Sequence, residues 1–309
     1  MILVFGTLAD PVTAYLCARL CARDERFVLL DARGYLRDFD LTWSLADGGV
    51  DGAIRAGASW VGLDALRSIC VRWLDLPELP REAAETAEEH GARVHEAFQA
   101  IVAFADTVPV LVVSRPASFG SNSSKPYQQQ LVARYGFSVP RTLVTTEPEE
   151  ARRFYEECDR RVIYKSLSHR RSIVRRMTPE DFDRLHAVRH CPTQFQEYVP
   201  GVDIRVHTVG GDLFPTEIVT EATDYRYAGH DGASREMRAA TLPPEVAERC
   251  LRLADGAGLV MSGIDLRRSP AGEYYCFEIN PTPGFTFYQR YTGQRIGEAL
   301  VDLLCRGAL

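Results

Sequence analysis

The feature that most restricts the folds open to this chain is a change of pattern near Gln194. Before it, short apolar runs alternate with helical stretches. After it, strand-like runs follow one another across short turns. The opening segment carries the strand ILVFG, the helical stretch TAYLCARLCAR and the strand FVLLD, a βαβ start. SICVRWL, a long acidic-then-apolar helix EAAETAEEHGARVHEAFQAIVAFA and the strand VPVLVV continue it. SRPASFGSNSS, rich in turn formers, reads as a linker near residue 115. A helix then begins around Ser124 and stops at Gly136. It is followed by the strand SVPRTLVTT, a helix opened by Pro148, the strand RVIYKSL, and SIVRRM with PEDFDRLHAV. Beyond Gln194 come TQFQEYV, DIRVHTVG and DLFPTEIVTEA, with Gly210 and Gly211 marking a hairpin. PPEVAERCLRLADGAG is a helix, GIDLRRS and EYYCFEIN are strands joined by PAG, and QRIGEALVDLLCR is the last helix. The fold class this predicts is α+β with an α/β start, with antiparallel sheets in the second half. A length of 309 residues suggests two or three subdomains.

Composition removes several function classes. A net charge of −6 with mixed signs gives no basic stripe, which argues against nucleic acid as a partner. The longest apolar runs are strand-length, so no membrane span is expected. MILVFGTLAD lacks a basic region and a cleavage-like site, so it is read as the start of a folded domain. Eight cysteines without paired CxxC spacing are read as small buried hydrophobes, and a cytoplasmic location is expected. Gly6 and Asp31 sit where a dinucleotide fold would use them, but GTLADP offers one glycine where a pyrophosphate turn needs three.

The positive charge is distributed unevenly by type. Of 36 basic residues only Lys125 and Lys165 are lysines. Lysine is a compact, flexible point charge, whereas arginine is a rigid planar fork, so the two survivors suit positions that meet phosphate from different elements. Lys165 ends an apolar strand and Lys125 starts a helix. The opposing charges cluster elsewhere. Glu278 and Asn280, two apart in CFEINP, leave one face of a strand while Phe277 and Ile279 are expected to enter the core. Asp265, on the preceding strand, joins them if the two strands pair antiparallel. Two carboxylates and an amide oxygen are a hard-ligand set suited to magnesium, and the competing reading is a pair of surface acids on a half-exposed hairpin. In QFQEYVPGVDIRV an extended backbone could read an adenine edge, with Glu197 near the amino group, Asp203 near a ribose and Arg205 on the face of Asp203.

Lys125, Lys165, QEYV with DIR, Asp265 and the EIN of Glu278 to Asn280, in this order, resemble the ATP-grasp superfamily from about Pro116 to Leu309. KPYQQQLVARYGFSVPRTLVTT, CPTQFQEYVPGVDIRVHTVGG and GEYYCFEINPTPGFTFYQRYTGQRI are similar to RimK-like ligases, and especially to the graspetide synthetases that tie side chains of ribosomal peptides into lactones and lactams. The resemblance implies a pre-ATP-grasp domain over 1–115, a central ATP-grasp subdomain over 116–200 and a C-terminal one over 201–309, the last two clasping ATP. It implies that Lys125 and Lys165 hold ATP phosphates, that Glu197, Tyr198 and Val199 hold the adenine, and that Asp203 lies on the ribose side. Arg205, with Lys165, would act on the transferring phosphoryl group, and Asp265, Glu278 and Asn280 would bind Mg2+. Many relatives place a glycine-rich loop after the second lysine, whereas SLSHRRSIV has no glycine, and Arg170 and Arg171 are candidates to clamp phosphate or substrate instead.

The activity implied is an ADP-forming carboxylate–amine or carboxylate–hydroxyl ligase working through an acyl-phosphate on a peptide. The partner would be a precursor peptide, with a leader that the N-terminal domain could grip, or a small carboxylate and amine. A RimK-like ligase of small amino-acid-type substrates, a kinase on the same scaffold and a nucleotide-binding regulator without turnover remain alternatives, and a homodimer is left open. TEATDYRYAGHDGASREMR is read as a loop over the cleft, with Arg226 and Arg238 as candidates to meet a substrate carboxylate. His207 is read as structural.

Overall fold

The computed structural model describes residues 1–72, 75–167, 174–220 and 235–309. The α/β start and the antiparallel second half are both present. In the N-terminal part, β1 (Ile2–Phe5), α1 (Pro11–Ala22) and β2 (Phe27–Leu30) form the βαβ unit. Asp10 caps α1 by accepting from Thr13 N at 3.0 Å. Three further strands, β3 (Phe39–Ala46), β4 (Gly49–Ala56) and β5 (Ser59–Gly62), make a small antiparallel sheet not expected from the sequence pattern. β6 (Ser68–Val71), α2 (Ala87–Thr107) and β7 (Leu111–Val113) complete this part. Thr86 and Glu89 form a capping box, so α2 starts five residues later than its acidic run suggested. The parallel sheet has the order β2-β1-β6-β7, and β1 is buried on both faces, as its unbroken ILVF requires.

The central sheet contains β8 (Thr142–Thr145), β9 (Val162–Ser166), β10 (Arg175–Arg176) and β11 (Thr193–Glu197) in the order β10-β9-β11-β8. α3 (Lys125–Arg134) precedes it in the chain, and α4 (Pro148–Glu157) covers its outer face with Phe154 and Tyr155. α3 itself sends Val132 into the core of the following sheet, so the linker side of the expected 116–200 unit packs against the C-terminal one.

The C-terminal sheet is built from β12 (Val202–Val209), β13 (Asp212–Thr220), β14 (Arg235–Ala239), β15 (Met261–Arg268) and β16 (Tyr274–Asn280), in the order β14-β13-β12-β15-β16. Gly210 has φ +56, which lets β12 turn directly into β13. On one face Ile204, Val206, Ile264, Leu266, Cys276 and Ile279 meet α5 (Pro244–Gly256). On the other lie α6 (Thr286–Thr292), absent from the sequence reading, and α7 (Ile296–Arg306). Leu300, Val301 and Leu304 of α7 share one core with Ile2, Val4 and Leu16 of the N-terminal part.

Candidate active site

The site grows from the register of three antiparallel strands. Arg205 on β12 stands opposite Asp265 on β15, and Asp265 stands opposite Glu278 on β16. One row of side chains therefore crosses the sheet on a single face. Arg205 Nη1 donates to Asp265 Oδ1 at 2.7 Å, with side-chain exposures of only 6% and 15%. A charged pair so far out of water is kept for more than surface solvation. Two pairs further along, Asn280 stands opposite Gly263. Asn280 Oδ1 accepts from Thr282 N at 2.9 Å, which orients its amide.

Gly263 explains how the arginine fits. A Cβ built there would lie 2.0 Å from Arg205 Nη2 and 2.5 Å from its Cζ, so the guanidinium rests over the glycine. An isolated glycine in the apolar strand MSGIDLRR was the available signal.

One detail of the expected pattern is corrected. Asp265 and Glu278 do face the same side, but the register slips between Asp265 and Leu266, where Cys276 becomes the partner of Leu266. This bulge sends Cys276, fully buried, into the core in place of Phe277. Phe277 instead lies under the Arg267 guanidinium, 5.4 Å from ring centre to Cζ.

The lysines are joined to this sheet by α3. Ser124 caps the helix, and Lys125, its first residue, donates from Nζ to Ser166 O at 2.6 Å. Lys165, half-buried on β9 and paired with Gln194, reaches Gln196 Oε1 at 3.4 Å. Further along α3, the buried Gln128 bonds the backbone of Ile279, between Glu278 and Asn280. No sequence pattern pointed to Gln128.

Arg267, also missed, organises the segment from Glu197 to Asp203. It makes a two-pronged pair with Asp203 at 2.8 and 2.9 Å and donates from Nη1 to Val199 O at 3.0 Å. Tyr198 N donates to Arg161 O at 2.8 Å, its ring lies 4.0 Å from Arg176 Cζ, and Glu197 Oε2 accepts from Arg141 N at 3.3 Å. The expected ribose contact, Asp203, is thus engaged by an arginine of the neighbouring strand.

Arg238 is not brought to this face. It lies on β14, not in a loop, opposite Glu217, whose other strand partner is Ile204 of the buried opposite face. Glu217 is clamped by Arg238 and by Arg268, the latter at 2.9 Å. Alternation along a strand is the physical reason: Met237, not Arg238, shares the side of Ile218 and Asp203. Arg226, Arg170 and Arg171 lie outside the described residues.

The floor is closed by buried polar groups. His207, fully buried beside Tyr288, places Nε2 3.2 Å from Gly284 O, and burial, followed by the nearby Arg205 charge, pushes its pKa down to about 3. Its expected structural character agrees with this setting. Arg72 of the N-terminal part pairs with Asp10 at 3.1 Å and donates to Pro283 O at 3.1 Å, holding the loop that follows Asn280.

The donor chemistry fits a hard cation. Asp265, Glu278 and Asn280 offer two carboxylates and an amide oxygen on one face, and among the described residues no group of three or more His, Cys, Asp or Glu is arranged to hold a metal. Magnesium asks for few protein oxygens and takes the rest from water and phosphate.

A family model described as the RimK-like ATP-grasp domain matches residues 122–304. The probable alpha-L-glutamate ligase of Aliivibrio fischeri (strain MJ11) is 23% identical over 224 residues, 69% of this chain and 73% of that protein. Macrocyclase MdnC from Microcystis aeruginosa, solved with precursor peptide MdnA, superposes with a TM-score of 0.80 at 20% identity, covering 98% of this chain and 99% of that one. ATP-grasp ligase PsnB, solved with a phosphomimetic variant of its minimal precursor, Mg and ADP, gives a TM-score of 0.79 at 25% identity over 98% and 97% of the two chains.

Proposed function

Because this chain belongs to the RimK-like ATP-grasp family and is an ATP-grasp ligase, we propose that it joins a carboxylate to an amine or hydroxyl through an acyl-phosphate, with a ribosomal precursor peptide as substrate. The row of Arg205, Asp265 and Glu278 across three strands, with the arginine buried and the two acids half-buried, carries this reading. Lys125 and Lys165 hold the ATP phosphates as flexible point charges, and the segment from Glu197 to Asp203 lies along the nucleotide. Asp265, Glu278 and Asn280 would hold magnesium, which would supply neutralisation of phosphate charge. The substrate carboxylate attacks the γ-phosphorus, ADP leaves, and the amine or hydroxyl then displaces phosphate from the acyl carbon. Arg205, seated over Gly263, would stabilise the oxygens of the transferring phosphoryl group. The protein's part is positioning and charge, so no nucleophilic side chain is required.

The peptide reading draws support from MdnC and PsnB, which were solved with a precursor peptide and with a variant of a minimal precursor. The relative named as a probable alpha-L-glutamate ligase favours a second reading, addition of an amino acid to a carboxylate. Mass spectrometry of candidate peptides with enzyme and ATP separates them. Loss of one water within a peptide means cyclisation, and gain of an amino-acid residue means ligation. A phosphorylated product that survives hydroxylamine would overturn both in favour of a kinase.

A further inference from the structure

β16 is the outer strand of its sheet, so every second residue turns its backbone N–H and C=O away from β15. At Ile279 those groups are met by a side chain. Gln128, 3% exposed, donates from Nε2 to Ile279 O at 2.7 Å and accepts from Ile279 N through Oε1 at 3.3 Å. A single amide does here what a neighbouring strand would do. The N–H belongs to the planar peptide unit that joins Ile279 to Glu278, and the C=O to the unit that joins it to Asn280. Both planes are therefore held from α3, one turn beyond Lys125, whose Nζ reaches Ser166 O. The same short helix bears on the proposed metal strand and on the proposed phosphate lysines.

We infer that Gln128 is a positioning residue for the magnesium ligands: by clamping Ile279 it sets the spacing and direction of Glu278 and Asn280. The inference rests on the proposed assignment of those residues and Asp265 to magnesium. An amide that only satisfied a strand edge would contribute stability and leave metal binding alone.

The test uses the full chain and reads metal binding apart from turnover. ADP affinity is measured by calorimetry with and without Mg2+, beside thermal unfolding, for Gln128→Met, which removes both bonds, and Gln128→Glu, which keeps the acceptor for Ile279 N–H. The Mg2+-dependent gain in ADP affinity is expected to shrink about tenfold in Gln128→Met, equivalent to about 1.4 kcal/mol. Gln128→Glu should lose about half of that free energy, and Mg2+-free affinity should stay within about twofold of the parent. A folded Gln128→Met that keeps the full gain overturns the inference, whatever its melting temperature. If that variant does not fold, Gln128→Glu decides on the same criterion. Asp265→Asn and Glu278→Gln separate the two levels: a full Mg2+ gain in both sinks the metal assignment itself, whereas loss there with no effect at Gln128 sinks only the inference.

Discussion

Gly263 and Arg205 occupy one volume: the guanidinium lies where any side chain at 263 would begin, 2.0 Å from the Cβ position. Gly263→Ala should therefore drive Arg205 away from Asp265 while leaving the backbone strain-free, since no left-handed φ is involved. Turnover is expected to fall about 10²–10³-fold, close to the loss in Arg205→Ala. The double variant should be no worse than either single one. Additive losses in ADP-formation assays would contradict a shared cause.

Asp265→Asn and Glu278→Gln are expected to abolish ADP formation in chains that still unfold cooperatively. Chelation of divalent cations should stop the parent enzyme, and added Mg2+ should restore it. Unchanged turnover in both variants would remove the metal role from this pair of strands.

Lys165 lies half-buried on β9, with Nζ 3.4 Å from Gln196 Oε1. Lys165→Arg keeps the charge but replaces a flexible point by a planar fork, so its turnover should fall nearly as far as in Lys165→Ala. An arginine variant retaining most of the activity would show that the scarcity of lysine has no bearing on the site.

His207 makes stability depend on pH. Its pKa is lowered from 6.5 unfolded to about 3 folded, so between those values the unfolded chain binds a proton that the folded chain excludes. Stability from this group is complete above about pH 6.5 and declines as pH falls, by up to about 1.4 kcal/mol per unit. Denaturant midpoints measured between pH 7 and pH 5 should show that slope in the parent and a flatter one in His207→Gln. Equal slopes in the two proteins would exclude the histidine as the source.

How much of the candidate site was legible depended on distance along the chain. Asp265, Glu278 and Asn280 could be placed on one face because strand alternation and the short PAG turn are local properties, and the observed register of Asp265 with Glu278 agrees. The two lysines stood out by composition alone. Arg238 reads as loop because its Gly- and Asp-rich surroundings hide a short edge strand, whose pairing with β13 turns it toward Glu217.

The sequence by itself determined the order of elements, the switch from α/β to antiparallel sheets and the residue types that can meet phosphate and a hard cation, since propensity, period and turn chemistry act over a few residues. Only the tertiary structure decided which groups hold those residues in place. Gln128 meets Ile279 across 151 positions, Arg72 meets Pro283 across 211, and Arg267 meets Asp203 across 64. The bulge that exchanges Phe277 for Cys276 likewise follows from how β15 and β16 pair. Contacts of this kind are set by packing between elements, and nothing in a local pattern encodes which distant backbone group a buried glutamine or arginine will satisfy.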